Sequence, residues 1–397
     1  MKDKMQRFTF SIIWVYFCCY FLQIFDLQNE MVLIIGACLS LLVVIQQKLI
    51  RVDLGICLLA ITLVSYYFII NGVQGLKYSI LYIPLVVYVL ANYMTSGLEK
   101  NEELNKKIIW MFTALIIGFT VYGILNSYMW YAGYVVPGTR RWEDFWSHEI
   151  VPGTQHTAYF LPLLAIFFPA IVSFGQKKWQ TFFVLMLTVF FCYTSLTTRS
   201  RMPLLIFVIV VFVQLLLFVF LECEKVIRIA TNIKSWIALL VFVALIILGF
   251  IMVKDTPVVT TFINNMGKDG GIINNARFIA QRQAIEQLLD YPLGGRQMEM
   301  ILGNFCHNTW LDMANAAGII PFFAFTTYTF YSLYELIGLL RKKFFSTEVK
   351  LWAVGLYVVF FLYFTVEPAI DASIHLVTPW IFVNGIIHGV VSATRNI

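Results

Sequence analysis

The stretch LLIFVIVVFVQLLLFVFL, residues 204–221, decides the fold class of this chain. Gln214 is its one polar residue. A helix rises about 1.5 Å per residue, so a run of this length, with its flanking residues, is long enough to cross a bilayer. Lipid offers no hydrogen-bond partners to open backbone groups, so a crossing segment of this kind must be an α-helix. The stretch predicts a transmembrane helix at 203–222.

Similar apolar runs recur along the whole chain. The predicted spans lie near residues 8–25, 31–46, 54–71, 79–94, 108–127, 156–175, 181–197, 203–222, 235–253, 316–340, 351–366 and 373–391. Hydrophobic residues make up 60% of the chain and charged residues only 13%, which is about half the charged share of a soluble domain. The sequence therefore predicts an all-α polytopic membrane protein: a single transmembrane domain, residues 1–397, of about twelve helices.

The uneven distribution of basic residues sets the predicted orientation. If the N-terminus is cytoplasmic, 18 of the 28 Lys and Arg residues fall in cytoplasmic segments, as the positive-inside rule requires. We expect both termini in the cytoplasm of a bacterial cell and two larger extracytoplasmic loops, 128–155 and 254–308. The net charge of +6 reflects this bias and does not indicate nucleic-acid binding. The seven cysteines show no zinc-ligand spacing, and no metal is expected.

Arginines on the predicted outer side need an explanation, because short outer loops are normally poor in basic residues. Arg199 and Arg201 occupy one such short turn. The guanidinium fork matches phosphate oxygens, so one interpretation is a site for a phosphate or diphosphate, which we favour. The alternative is that these side chains only reach lipid head groups. Further candidate substrate contacts among the outer basic residues are Arg140, Arg141, Arg282 and Arg296.

The large outer loop is expected to contain a helix, residues 276–290. Asn274-Asn275 is its expected N-cap, and the Pro-Leu-Gly-Gly segment at 292–295 ends it. Arg277 and Gln281 are four residues apart and share its polar side. Its apolar side is predicted to contain Phe278, Ile279, Ile285, Leu288 and Leu289. Such a helix lies on the outer face or is tucked into it, and its arginines either bind substrate or touch lipid head groups.

The sequence HNTWLD, residues 307–312, opens the tenth predicted span. Asn308, Asp312 and Asn315 are spaced so that they share one helix face. A histidine at the mouth of a helix can act as a general base or hold a substrate hydroxyl. The local pattern alone favours a structural interpretation, in which Thr309 and Asp312 form a capping box and His307 is an interfacial residue.

Two other polar segments each allow two interpretations. Residues 140–146, RRWEDFW, mix charge with aromatic rings; we favour an aromatic belt at the membrane interface over a surface that stacks on sugars. Glu367 and Asp371 bracket the last outer turn. One of them is an acceptor-activating carboxylate, or both belong to a solvated turn, which we favour.

Three segments, in order, resemble the O-antigen ligase and Wzy-type polymerase superfamily. TRSR at 198–201 resembles its Ser-Arg motif. Residues 275–294 resemble its outer-loop pattern of Arg, helix and Pro-Leu-Gly, and residues 307–319 resemble its His-Asn…Leu…Gly start of a late span. GTQHTA at 153–158 suits the start of a middle span in that family, which adds His156 as a candidate. The resemblance covers about residues 150–340, and the N-terminal spans are generic.

The chain departs from the family pattern at two places. The family usually has Gly after the Ser-Arg, where this chain has Met202-Pro203. The family often continues Pro-Leu with Gly-Val-Gly, where this chain has Gly294-Gly295-Arg296 and so gains a cation. The first change alters the turn, and the second adds a candidate phosphate contact.

The resemblance implies a metal-independent and cofactor-independent glycosyl transfer on the extracytoplasmic face. A glycan would move from an undecaprenyl diphosphate carrier to an acceptor hydroxyl, with inversion at the sugar carbon. Carried over to this chain, Arg201 and Arg277 would bind the donor diphosphate, and His307 would lie beside the reacting hydroxyl. Asn308, Asp312 and the other outer arginines would line the substrate.

Three functions stay open from the sequence. The first is a polymerase that joins undecaprenyl-diphosphate-linked oligosaccharides into a surface polysaccharide, and we favour it. The second is a ligase that transfers the glycan to a lipid, protein or wall acceptor. The third is a flippase or transporter without chemistry, which should place polar groups near the bilayer midplane rather than at the outer face. Membrane lipids, a flippase and chain-length regulators are the expected partners.

Overall fold

The structure is a computed structural model of the 397-residue chain. It describes residues 2–24, 29–47, 52–96, 102–173, 178–224, 276–372 and 374–393. The predicted ninth span at 235–253, the predicted N-cap Asn274-Asn275 and the first part of the large loop lie outside the described residues.

The described chain is built almost entirely from helices. In chain order they are α1 (Lys2–Phe21), α2 (Asn29–Gln47), α3 (Leu54–Gly75), α4 (Ile83–Ser96), α5 (Glu102–Tyr131), α6 (Gly153–Ala158), α7 (Leu161–Val172), α8 (Lys178–Thr197), α9 (Arg201–Leu221), α10 (Ala276–Glu286), α11 (Thr309–Ala317), α12 (Ile319–Arg341), α13 (Thr347–Phe364), α14 (Ala369–Ala372) and α15 (Ile374–Ala393). A 3₁₀ turn at Ser79–Leu81 precedes α4, and two short strands, β1 (Arg141–Glu143) and β2 (Ile150–Pro152), follow α5.

Seven stretches among the described residues are long and apolar enough to cross a membrane: Leu54–Gly75, Leu104–Tyr131, Gly153–Val172, Lys178–Thr197, Arg201–Leu221, Thr347–Phe364 and Ile374–Ala393. Three apolar helices are shorter: Phe8–Phe21, Glu30–Gln46 and Ser79–Thr95. The all-helical prediction is therefore confirmed in its coarse form, and the count of about twelve spans stays a prediction.

Two of the predicted spans are interrupted. The span expected at 156–175 is split into α6 and α7, with the break just before Pro162 near the start of α7. The span expected at 316–340 begins at α12, which follows α11 directly across Gly318. Gly318 has φ 81° and ψ −168°, a conformation that essentially only glycine adopts. The interruptions turn α6 and α11 into short helices at the end of longer ones.

Helix α15 forms the centre of the bundle, and α9 lies at its periphery. Of the most apolar window of α15, 94% is buried, against 22% for α9. Helix α15 packs against α4, α12 and α13, and a helix buried on all sides is apolar all round. The single polar residue of the α9 run, Gln214, is buried and donates to the carbonyls of Ala165 (2.7 Å) and Leu351 (2.8 Å). It thereby ties α9 to α7 and α13.

Contacts near the helix ends show which segments lie together at each end of the bundle. Near one end, Asn105 donates to Phe344 O at 3.2 Å and accepts from Ser346 N at 3.0 Å. Near the other, Arg140 donates to Arg199 O at 3.4 Å and Trp146 donates to Leu22 O at 3.1 Å. Each contact joins segments that the charge bias assigns to the same side. We call the end with Arg199 the site end.

The first predicted outer loop, 128–155, is folded against the bundle. Strands β1 and β2 pair in antiparallel register, with Trp142 opposite Val151. Trp142 is fully buried, and its indole N–H donates to Asn126 O at 2.9 Å. Asp144 is also buried and accepts the hydroxyl of Tyr122 and the amide of Trp146. The favoured interpretation of 140–146 as an interfacial belt is therefore wrong for Trp142, which is a core residue.

Candidate active site

Helix α10 carries the first two side chains of the candidate site. Arg277 and Gln281 are one turn apart, and both point towards the turn that follows α13. Arg277 Nη1 donates to Val366 O at 2.8 Å, and Gln281 Nε2 donates to Thr365 O at 3.0 Å and to His307 O at 3.2 Å. One helix face therefore binds two separate segments of the chain.

The buried face of α10 differs from the predicted one. The residues that pack into the protein are Ala280 and Ala284, both fully buried, whereas Phe278 and Ile285 of the predicted apolar side are exposed. The two alanines form one cluster with residues of the 298–314 segment, so α10 is docked on α11 and on the loop before it. The helix also ends at Glu286, earlier than the predicted Asp290.

The start of α11 fixes His307. The N-cap is Asn308, whose side chain accepts from Leu311 N at 3.2 Å; the capping box predicted for Thr309 and Asp312 is wrong. Asp312 instead accepts the backbone amides of Cys306 (2.7 Å) and Asn308 (2.8 Å), on either side of His307. His307 itself has a positive φ of 56°, which is uncommon for a residue other than glycine. The carboxylate of Asp312 stabilises this turn.

Burial governs the titration of the two groups behind His307. It raises the pKa of Asp312 above its ordinary value, an effect that the amides of Cys306 and Asn308 partly oppose. It also raises the pKa of the Cys306 thiol, and the neighbouring Asp312 carboxyl adds to this rise. The thiol donates to Asp312 Oδ1 at 3.2 Å. Both groups make their contacts within the turn, where Asp312 holds the backbone on either side of His307.

The turn after α13 is the point on which the site converges. It has three successive carbonyls, those of residues 365, 366 and 367. Each accepts a hydrogen bond from a side chain of α10 or of the start of α11. Thr309 supplies the third bond: its hydroxyl donates to Glu367 O at 2.7 Å and accepts from Ala369 N at 3.0 Å. The last carbonyls of a helix have no partner within the helix, and here the site residues bind the carbonyls that follow it.

Glu367 lies between Arg277 and His307, two of the three residues, with Arg201, that were predicted to take part in the reaction. Its side chain is 9% exposed; Oε1 is 3.2 Å from Arg277 Nη1, and Oε2 is 3.6 Å from His307 Nδ1. The side chains of Arg277 and His307 are 29% and 30% exposed. The prediction of a solvated turn is therefore wrong for Glu367, and the side chain of Asp371 lies outside the described residues.

Several predicted substrate contacts lie around this cluster. Arg282 is exposed and pairs with Glu286 on the surface of α10 at 2.9 Å. The guanidinium of Arg296 lies 5.3 Å from the centre of the Phe305 ring, and its backbone amide donates to Asn315 O at 2.7 Å. The Pro-Leu-Gly-Gly segment thus docks on the end of α11, next to the cluster.

The remaining candidates come from the first loop and from the start of α9. Arg140 and Arg199 are exposed and joined by a hydrogen bond, and Arg141 is exposed on β1. His156 is buried: it stacks on Trp142 at a ring distance of 4.4 Å, and its Nε2 lies 3.2 Å from Trp142 O. His156 therefore lies beneath the surface loop, and a substrate contact would require that loop to move.

Helix geometry places Arg201 at the site end. Glu222 contacts the hydroxyl of Thr347, and Gln214 contacts Leu351 O, so α9 and α13 run antiparallel. Thirteen residues separate Gln214 from Arg201 and also Leu351 from Phe364. The start of α9 and the end of α13 therefore lie at about the same height along the bundle.

No protein-family model matches this chain, and no curated protein is significantly similar to it. The family resemblance therefore rests on the residues themselves, and what it implies stays a prediction. The described part of the chain defines only a broad class: an all-helical protein with seven stretches long and apolar enough to cross a membrane, and with Arg277, His307 and Glu367 gathered at one end.

Proposed function

We propose that this protein is a membrane glycan polymerase. In this proposal it joins undecaprenyl-diphosphate-linked oligosaccharide repeats into a longer lipid-linked glycan. The observation that supports it most directly is the meeting of Arg277 and His307 on the turn that holds Glu367. These are the two chemical roles that the transfer needs, a cation for a leaving diphosphate and a base for an acceptor hydroxyl, within one cluster.

The reaction follows from these two groups. The acceptor hydroxyl attacks the anomeric carbon of the donor sugar, and the bond from that carbon to the diphosphate oxygen breaks with its electron pair. The leaving diphosphate gains negative charge, which a fixed guanidinium such as that of Arg277 stabilises most in the transition state. His307 accepts the proton of the hydroxyl. Both side chains are about one-third exposed, so a substrate can reach them.

A second group of arginines supports a substrate with two phosphates. Arg199 lies in the turn before α9, Arg201 is the first residue of that helix, and Arg140 donates to the carbonyl of Arg199. The antiparallel packing of α9 and α13 puts this turn at the same end as Arg277. In the proposal, Arg201 binds the donor diphosphate together with Arg277, and the exposed Arg140, Arg141 and Arg199 contact the glycan or its phosphates.

The proposal includes a location. The chain would cross a bacterial cytoplasmic membrane about twelve times, with both termini in the cytoplasm and the site end outside. The carrier lipid would enter from the bilayer, and the glycan would lie in the extracytoplasmic space. A flippase that delivers the donor and a regulator of chain length are the proposed protein partners.

A product analysis tests the proposed function. The purified protein is incubated with undecaprenyl-diphosphate-linked repeat units from its own host, without any other acceptor, and the products are resolved by size. We expect a ladder of longer lipid-linked glycans. The ladder should be absent with Arg277→Ala and with Arg201→Ala, although both variants accumulate in the membrane. Lys106→Ala, which removes an exposed basic side chain at the opposite end, is the matched control and should leave the ladder intact.

Three other outcomes would each contradict part of this proposal. An unchanged donor that is consumed only when a lipid, protein or wall acceptor is added would indicate a ligase. A donor that stays unchanged with every acceptor would contradict a transferase and favour a transporter. Full activity of both arginine variants would show that the diphosphate assignment is wrong.

A further inference from the structure

We propose that Glu367 is the positioning residue of this site: it turns Nδ1 of His307 inwards, so that Nε2 is the nitrogen that takes the acceptor proton. The inference rests on the proposed glycan transfer and gives Glu367 a role different from the direct activation of the acceptor that the sequence allowed for it or for Asp371. It concerns the role of the carboxylate, which acts on the substrate only through His307.

The two oxygens of Glu367 have different neighbours. Oε1 faces Arg277 at 3.2 Å, and Oε2 faces His307 at 3.6 Å. The residue is only 7% exposed, and its own carbonyl is bound by Thr309. Oε1 makes no hydrogen bond at this geometry, so the carboxylate is limited by its burial between a guanidinium and an imidazole, and from there it can set the orientation of the neighbouring ring.

The histidine ring has one buried and one accessible side. Nδ1 is buried and has no hydrogen-bond partner at the present distance, while the side chain as a whole is 30% exposed. The accessible surface therefore belongs to the other side of the ring. A separation of 3.6 Å is too long for a hydrogen bond, but catalytic contacts often tighten when substrate binds. Closing it would give Nδ1–H a carboxylate acceptor.

This arrangement determines which nitrogen reacts. A neutral imidazole has one N–H and one lone pair, so a proton held at Nδ1 by a carboxylate leaves the lone pair at Nε2. The proton of the acceptor hydroxyl moves to Nε2 as the new glycosidic bond forms. At the same time the bond between the anomeric carbon and the diphosphate oxygen breaks. The ring then carries a positive charge, which the ionised Glu367 stabilises. The other titratable or charged groups around this pair are Arg277, Asp312 and Tyr363.

The experiment compares Glu367→Gln with wild type in the transfer assay, with kcat and KM measured separately. Glutamine keeps the shape of the side chain but removes its charge, so we expect kcat to fall by about 10²- to 10⁴-fold. KM should change little, because the carboxylate acts on the proton transfer through His307 and not on substrate binding. Glu367→Asp should recover part of the activity. Asp290→Asn, at an exposed position just beyond α10, is the control for loss of a carboxylate.

A purely structural role makes different predictions. It would lower the yield or the thermal midpoint of Glu367→Gln and leave kcat per folded molecule unchanged, which would overturn the inference. A second test uses a His307→Gln background, where Glu367→Gln should cost little further activity because the residues act as a unit. If Glu367→Gln costs as much activity in that background as it costs in wild type, the inference is also overturned. If wild type transfers no glycan to any acceptor, the proposed function fails and this inference fails with it.

Discussion

Substitution of Gly318 by alanine tests how the Pro-Leu-Gly-Gly segment is docked. Gly318 has φ 81° and ψ −168°, and Gly72, in α3, has φ 60° and ψ −150°. Both conformations belong to a region that costs a side-chain-bearing residue about 1–3 kcal/mol. A Cβ at Gly72 would meet no atom within 4 Å. A Cβ at Gly318 would fall on the carbonyl oxygen of Pro292 and lie 2.8 Å from the carbonyl carbon of Leu293.

The extra loss at Gly318 can be worked from the bonds that this contact would break. The obstructing atoms are backbone, so the 292–296 segment must move as a unit. It is held by three hydrogen bonds: Ile319 N to Pro292 O (3.0 Å), Gly295 N to Ala316 O (3.0 Å) and Arg296 N to Asn315 O (2.7 Å). Each contributes about 1 kcal/mol. Gly318→Ala should therefore lose roughly 4–6 kcal/mol, and Gly72→Ala only the strain of about 1–3 kcal/mol.

Thermal unfolding in detergent, monitored by tryptophan fluorescence at one scan rate, measures the difference. The midpoint of Gly318→Ala should fall clearly below that of Gly72→Ala, which in turn lies below wild type. Comparison at a fixed scan rate matters because large proteins often unfold irreversibly. Equal midpoints for the two variants would refute the docking of the 292–296 segment on the end of α11, since the strain is common to both.

Two further predictions concern the packing of α9 and the orientation of the chain. Gln214→Leu removes two buried hydrogen bonds to backbone carbonyls and should lower the free energy of unfolding by about 1–2 kcal/mol, measured by the same thermal assay. Val208→Ala, on the exposed side of α9, is the control. An unchanged midpoint for Gln214→Leu would contradict the view that Gln214 ties α9 to α7 and α13. A tag inserted at 262–268 should be labelled from outside intact cells and one at 343–347 should not, whereas the reverse pattern would overturn the proposed orientation.

The helices could be predicted closely from the sequence, but their interruptions could not. The span predicted at 203–222 is found as α9, 201–221, because a long apolar run leaves only one structure that satisfies its backbone. The break between α6 and α7 falls just before Pro162, in a run that begins with the mostly polar residues GTQHTA of α6. Counting apolar residues over 156–175 merges the two helices, because it does not register where the backbone leaves the helical conformation.

The buried side of α10 shows a second limit. Hydrophobicity favours Phe278 and Ile285 as core residues, whereas the structure buries Ala280 and Ala284. Ala280 and Ala284 pack in a cluster with residues 298–314, so the buried side of α10 is decided by a later segment that the helix's own pattern does not contain. Glu367 was misjudged for a related reason, because its burial is produced by α10 and α11 rather than by its own neighbours in the chain.

The way in which the site residues bind the turn after α13 links stability to the proposed chemistry. A helix end has carbonyls without partners and a partial negative charge, so cations and donors are favoured there. Arg277, Gln281 and Thr309 donate to the three carbonyls that directly follow the helix, and these bonds alone would hold an arginine beside His307. A guanidinium has five N–H donors, so fixing its plane through Val366 O is compatible with binding a phosphate.

Loss of Arg277 would therefore both weaken the turn and remove the cation. Glu367→Gln conserves the shape of the side chain and removes only its charge. For that reason it separates the chemistry from the fold more cleanly than any arginine variant.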